Sequence, residues 1–342
     1  MGTIIPINNT ALRLPSYYSD DTVRKVARKV TVKGALRALD TFQAFKERFR
    51  TEEDVLHEIF VARIGTSETR CPGCGHQALL SYKRIAHTKQ YQCKYCKSKV
   101  SPLKGTPIGG THLPLDKVFE CIWKMLTSGG HPVTGAEIQR EYGWKISTAW
   151  ALLHKLRKDW MGVINMSFAF DKYEEVEMDE VYITTEIPEG QKNEKLKRGP
   201  ESQRQVKVFT ISGRKSGVFK AIVSMEINTA TAVAALHRAG VTQYNSIKTD
   251  EKSIYPRLEE YGFEHAACNH NKKQYVGDEN AHTNTLEGGH ALMKTGYIWV
   301  HKGITRKYVT SYLYETAFRL SVRNKSKMSV IDLMLENLSP LF

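Results

Sequence analysis

The sequence predicts an α/β protein in which a mixed sheet with helices on its faces follows a cysteine-bearing hairpin and a short helical unit. Three observations predict it. Beyond Met166, helical periodicity gives way to strands that alternate with helices. Upstream, Cys71 and Cys74 in RCPGCGH and Cys93 and Cys96 in YQCKYCK make a CxxC–x18–CxxC ladder. Between these regions, VTGAEIQREYGWKISTAWALLHKLRKDW carries a helix start, a glycine turn and a second amphipathic helix.

Size and charge narrow the function. A chain of 342 residues with 41% hydrophobic content holds two or three compact units with a real core. A net charge of +14 and a pI near 9.4 point to a polyanionic partner, and nucleic acid is favoured over a membrane surface because no Lys-rich amphipathic helix with a Trp/Phe/Leu face is present. No apolar run approaches the roughly 18 residues a membrane span needs. The opening MGTIIPINNT does not resemble a signal peptide, so the expected setting is cytoplasmic and nucleoid-associated in a bacterium, or nuclear in a eukaryote.

From the start, residues 1–40 read as an irregular, basic arm, with Arg24, Lys25, Arg28, Lys29 and Lys33 close together, suited either to solvent or to a DNA backbone. Residues 41–70 form a helical lead-in with Phe42, Phe45 and Phe49 on one stripe. Residues 71–104 are the cysteine unit. Each CxxC offers two thiolates from one tight turn, and two such turns joined by a hairpin give the four-sulfur set that zinc prefers, with no position left for a reactive water. A structural zinc ribbon held by Cys71, Cys74, Cys93 and Cys96 is therefore expected, and Cys121 and Cys268 are read as buried small residues.

Residues 112–162 resemble a helix-turn-helix: LDKVFECIWKMLTS, a helix from Thr134 and Glu137 to about Tyr142, a turn at Gly143, and a third helix capped by Ser147. Ala149, Leu152, Leu153, Leu156 and Trp160 make the last helix's apolar face, while Lys145, Thr148, His154, Lys155 and Lys158 form a basic one. Thr148, Lys155 and Lys158 are the expected DNA contacts; the alternative is an exposed basic face on a packing module.

Residues 170–325 read as one mixed-sheet domain. Strands are expected over EEVEMDEVYI, QVKVFTISGR, GVFKAIVSM, YNSIKTD and FEHAACNH, helices over NTATAVAALHRAG and EKSIYPRLEEYG, and helices close the chain before a tail at 326–342. Asp179 lies inside an otherwise apolar strand on the face of Glu177 and Val181; Asp250 ends a strand; Glu287 lies one turn into a helix. A charge within a strand is costly unless paired or liganded, and several carboxylates meeting at strand ends suit a pair of Mg²⁺ or Mn²⁺ ions. The run from Lys192 to Lys207, with Lys195, Lys197, Arg198 and Arg204, would grip phosphates or form a solvated loop.

From about Thr41 to Asn324 the order of motifs resembles bacterial insertion-sequence transposases that join an N-terminal zinc ribbon to a DDE domain of ribonuclease-H-like fold, relatives of Merlin-type elements. The resemblance rests on the ribbon, HLPLDKVFECIWKML, TAWALLHKLR, MDEVYI, IKTDEKSIY, HTNTLEGGHALMK and YLYETAFRLSVRN. It implies catalytic, metal-binding roles for Asp179, Asp250 and Glu287, with Lys294 two helical turns after Glu287 and Asn284 as a rival or addition to that acid. Where many relatives carry an aromatic pair, this chain has Gly288, Gly289 and His290. The implied activity is Mg²⁺- or Mn²⁺-dependent cleavage at terminal inverted repeats and strand transfer into double-stranded target DNA, by a homodimer or larger assembly. A DNA-binding regulator without catalysis and a structure-selective nuclease are the alternatives.

Overall fold

The computed structural model describes residues 4–7, 10–13, 40–64, 68–129, 131–187, 197, 199, 202–268, 284–301 and 304–341. Near the start, β1 (Ile4–Ile7) and β2 (Thr10–Arg13) pair antiparallel, where the sequence suggests irregular chain. The basic residues from Arg24 to Lys33 lie outside the described residues.

The expected single helix after Thr41 is two: α1 (Phe42–Arg48) and α2 (Glu52–Ile64). Thr41 caps the first, and Thr51 and Asp54 bond each other at the break, which competes with helix propagation. Phe45 and Phe49 are buried, whereas Phe42 at the helix start is half exposed. The cysteine unit is the expected hairpin, with a one-turn α3 (Ala78–Ser81) leading to an antiparallel sheet of β3 (Tyr82–Arg84), β4 (Tyr91–Cys93) and β5 (Lys99–Val100). Its Tyr91 stacks on Phe60 of α2 with ring centroids 4.0 Å apart, so the ribbon shares a core with the helices.

Next come α4 (Leu115–Thr127), α5 (Gly135–Tyr142) and α6 (Ile146–Lys155). Thr134 caps α5 and Gly143, at φ 69°, ends it in the left-handed conformation. Lys145, not Ser147, occupies the cap position of α6, whose start carries no side-chain cap bond. From Leu156 to Gly162 the helix widens into a π-turn before α7 (Val163–Ser167). That extra residue per turn rotates the helix, and Arg157 goes inward with Leu156 and Trp160.

The larger sheet has five strands, ordered Glu264–Cys268, Ser246–Asp250, Glu175–Thr184, Gln205–Gly213 and Phe219–Ser224 across its width. β6 (Glu175–Thr184), β7 (Gln205–Gly213) and β8 (Phe219–Ser224) form an antiparallel meander. After α8 (Thr229–Ala239), β9 (Ser246–Asp250) and β10 (Glu264–Cys268) add parallel strands on the other side of β6. This order and these directions are the ribonuclease-H-like arrangement. The helix expected over EKSIYPRLEEYG is a 3₁₀ turn at Pro256–Tyr261, since Pro256 disfavours helix in the residue before it.

Alternation along β6 divides the apolar residues between two layers. Val176 and Met178 join Phe209, Ile211 and Leu236 under α8, while Val181 and Ile183 join Val208, Leu286, Met293 and Leu313 on the other face. That second layer is covered by α9 (Asn284–His301) and α10 (Val309–Ser321). The chain after Asn324 is no free tail: α11 (Lys327–Glu336) returns to the N-terminal unit and buries Met328, Ile331, Met334 and Leu335 in its core. No described helix is long and apolar enough to cross a membrane.

Candidate active site

The parallel pairing of β6 with β9 sends their carboxyl ends the same way, and β9 joins the meander at the place where strand order reverses. Crevices of that kind gather ligand-binding side chains. Asp179, Glu180 and Asp250 meet there, with one carboxylate oxygen of each within 4.8 Å of the others. Burial pushes the Asp179 carboxyl up to about 7, and the neighbouring charges of Glu180 and Asp250 add to the effect. Its Oδ1 accepts the Glu180 N–H at 2.7 Å. An all-oxygen donor set with an excess of negative charge fits a hard divalent cation.

Glu180 was not foreseen, because alternation points it to the other face of β6. Its two oxygens are held by the Lys252 ammonium and, at 2.5 Å, by the Tyr255 hydroxyl. The same lysine approaches the Tyr182 hydroxyl at 3.4 Å. Glu287 does not join the group: it is exposed on α9, while Leu286, Gly289 and Met293 turn inward. The expected meeting of Asp179, Asp250 and Glu287 is thus present for the two aspartates and absent for the glutamate in this arrangement. Helix register explains the difference, since Gly289 sits tightly against Phe219 and sets which residues face the sheet.

The α9 side chain that does reach Asp179 is His290. Its Nε2 bonds Thr210 Oγ1 at 2.7 Å and its Nδ1 stands 3.8 Å from Asp179 Oδ2. Burial, with Lys294 nearby, lowers the imidazole to about 4, so it is neutral. Thr210 also donates to the Asp179 carbonyl at 3.1 Å. One turn earlier, fully buried Glu177 accepts from the Thr285 N–H and hydroxyl, both at 3.1 Å, and from Arg214 Nε at 2.9 Å. A carboxylate at a helix N-terminus is favourably placed, and this one ties α9 to β6 two residues from Asp179. Alternation had put Glu177 on the right face; its capping role depends on a contact that no local pattern shows.

Lys294 is exposed on α9. The side chain of Asn284, together with Lys195, Arg198 and His282, lies outside the described residues. Lys197 and Arg204 border the β6–β7 connection, where the Lys197 N–H donates to Gln203 and the Arg204 guanidinium to the Thr185 carbonyl. Thr148, Lys155 and Lys158 are exposed, but His154 is buried among Trp150, Tyr308 and Tyr312 instead of sharing their open face.

The four cysteines form a separate centre. Their sulfurs all lie within 4.8 Å of one another, with Cys71 to Cys96 and Cys74 to Cys93 each 3.6 Å apart. Zinc–sulfur bonds of ~2.3 Å in a tetrahedron place sulfurs roughly 3.8 Å apart, so the donor set fits zinc. Burial resists ionisation of Cys71, but hydrogen bonds with Tyr82 and Ser98 outweigh it and bring the thiol down to about 5.

Residues 173–321 match the family model of the ISXO2-like transposase domain. This segment is an insertion-sequence DDE transposase domain. It contains Asp179, Asp250 and all of α9, and it stops short of the ribbon and the α4–α6 unit. An uncharacterized protein in the transposable element ISH50 of Halobacterium salinarum is 21% identical over 278 residues, covering 78% of this chain and 90% of that protein. Among solved structures, the HTLV-2 integrase catalytic core domain in complex with magnesium is 11% identical, covering 44% of this chain and 87% of that one at a TM-score of 0.24. The simian T-cell lymphotropic virus intasome in complex with PP2A regulatory subunit B56 gamma is 13% identical, covering 54% of this chain and 60% of that one at a TM-score of 0.27.

Proposed function

We propose that this transposase binds the terminal inverted repeats of its own element, cleaves the phosphodiester there and joins the freed 3′ end to target DNA. The observation that carries the reading is the convergence of Asp179 and Asp250, from neighbouring strands, into one carboxylate group at the carboxyl end of the sheet. Asp179 and Asp250 would hold a divalent cation, Mg²⁺ or Mn²⁺, which when bound supplies Lewis acidity at the scissile phosphate. Glu287, exposed on α9 and apart from this group here, would be the third acid on the motif resemblance alone. Glu180 is not, because Lys252 and Tyr255 already engage both of its oxygens and make it an anchor.

Lys294, two turns beyond Glu287, would grip the phosphate backbone, and Asn284 would border the same cavity. Lys197 and Arg204, with Lys195 and Arg198, would extend the grip from the β6–β7 connection, which leaves the sheet at the site's own end. Thr148 at the open start of α6, with Lys155 and Lys158, would contact the repeat. Cys71, Cys74, Cys93 and Cys96 would bind zinc structurally. Two DNA ends must be joined, which calls for a dimer or larger assembly on the DNA.

The test is strand transfer with terminal-repeat DNA and Mg²⁺ or Mn²⁺. Asp250→Asn and Glu287→Gln are expected to lose at least about a thousandfold in rate while still binding the ends. Glu180→Gln should retain measurable joining. Activity persisting in Asp250→Asn would remove this assignment, and cutting without joining by the wild type would favour a nuclease.

A further inference from the structure

We propose that the groove between α6, the π-turn and α10 is a pocket for one unstacked base of single-stranded DNA. The proposal rests on the reading of the chain as a DNA transposase and adds a site to it. The groove has a volume of about 530 Å³ and is lined by Trp150, His154, Lys155, Lys158, Lys307 and Tyr308. Asp159 is the one acid in its lining, so the described walls carry an excess of two positive charges.

The walls are aromatic and set at an angle to each other. Trp150 is 37% exposed, and its ring meets that of Tyr308 edge-on at 4.8 Å and 86°. Behind them His154 is 9% exposed, with neither ring nitrogen hydrogen-bonded among the described residues. Burial keeps its ring neutral, leaving one donor and one acceptor. Both nitrogens are shut off from solvent, so His154 backs the Trp150 ring at 4.0 Å and the exposed part of that ring is what a ligand meets.

These features select an unpaired nucleotide. Aromatic faces beside lysines bind single strands by stacking on bases while the cations neutralise the phosphates on either side. Bases inside a duplex present no free face to a wall, so only a nucleotide out of the stack can use Trp150. The π-turn is what builds the site, because it places Lys158 on the groove side while Arg157 turns inward.

The experiment uses the full-length protein and a short single-stranded DNA oligonucleotide carrying 2-aminopurine, with the same oligonucleotide as a duplex for comparison. Wild-type protein should quench the probe in the single strand and leave it unquenched in the duplex. Trp150→Ala should weaken single-strand binding about tenfold or more, and Trp150→Phe should restore most of it. Ala151 is exposed in the same lining, so Ala151→Trp fills the groove without removing a packed side chain and should block quenching. Lys158→Gln with Lys307→Gln should lower the salt dependence of binding by roughly one log unit per log unit of salt.

Unchanged quenching in Trp150→Ala or Ala151→Trp would overturn the pocket, as would equal quenching of the duplex. Tighter binding of an RNA strand of the same sequence would overturn its assignment to DNA. The two readings separate through Asp250→Ala, which should quench as the wild type does. Strand transfer surviving in that variant counts against the catalytic reading and leaves the pocket to be judged on quenching alone.

Discussion

Asp179 shows how a buried carboxylate works against the stability of its own fold. Its carboxyl ordinarily ionises near 3.8 and here does so near about 7, so the ionised form is disfavoured in the folded chain. A raised acid contributes stability that is full below pH 4 and lost as pH rises through 7. Asp179→Asn is therefore expected to stabilise the metal-free protein at pH 8 by about 2 kcal/mol, read as a higher denaturation midpoint, while ending strand transfer. Addition of Mg²⁺ should raise the wild-type midpoint and leave that of the variant nearly unchanged. The two aspartates were legible in the sequence because a charged residue inside an apolar strand and another at a strand end are each unusual on local grounds. His290 was not, since its approach to Asp179 depends on α9 register, which is set by the Glu177–Thr285 bonds across 108 residues and by Gly289 against Phe219.

At the scale of elements, the decisive departure from pattern is the π-turn after α6. Periodicity correctly placed Ala149, Leu152, Leu153, Leu156 and Trp160 in the core, yet it could not foresee that the widened turn buries Arg157 at 1% exposure against Glu315 at 0%. Their 2.6 Å ion pair, with a further bond from Arg157 to the Val133 carbonyl at 2.7 Å, couples the α4–α6 unit to α10 on the five-stranded sheet. Arg319, one turn on from Glu315, stands 3.7 Å away and is the lesser partner. Removing one member of a buried pair strands the other, so Arg157→Ala should cost about 3–5 kcal/mol. Arg157→Met with Glu315→Leu should recover most of that loss, and urea titrations of the three variants measure both outcomes. Glycine enforces a second coupling at the same place, because a methyl group at Gly162 would collide with the Tyr314 ring. Gly162→Ala is expected to destabilise by about 1–3 kcal/mol in the same titration.

For the whole molecule, the order of units was readable because each has its own local signature: paired CxxC turns, a capped helix pair, then alternating strands. Their joining was not. The Arg63 guanidinium in α2 donates to the carbonyls of Pro102, Lys104 and Ser339, binding the lead-in helix to the ribbon's exit and to the end of the chain. Trp160 adds a bond to the Met334 carbonyl at 2.9 Å. Contacts across such separations leave no trace in periodicity, which is why residues 326–342 read as a tail. Zinc chelation should accordingly do more than open the ribbon: Phe60 would lose the stacked Tyr91, and far-ultraviolet dichroism should show helix lost along with end binding.

The return of α11 to the first helices has a consequence for timing. A ribosome adds roughly 5–20 residues per second, so the stretch between Ile64 and Lys327 takes on the order of 10–50 s to emerge. Throughout that interval the part of the front-end core that Met328, Ile331, Met334 and Leu335 later cover stays open. The front end therefore finishes assembling only after α11 has left the ribosome.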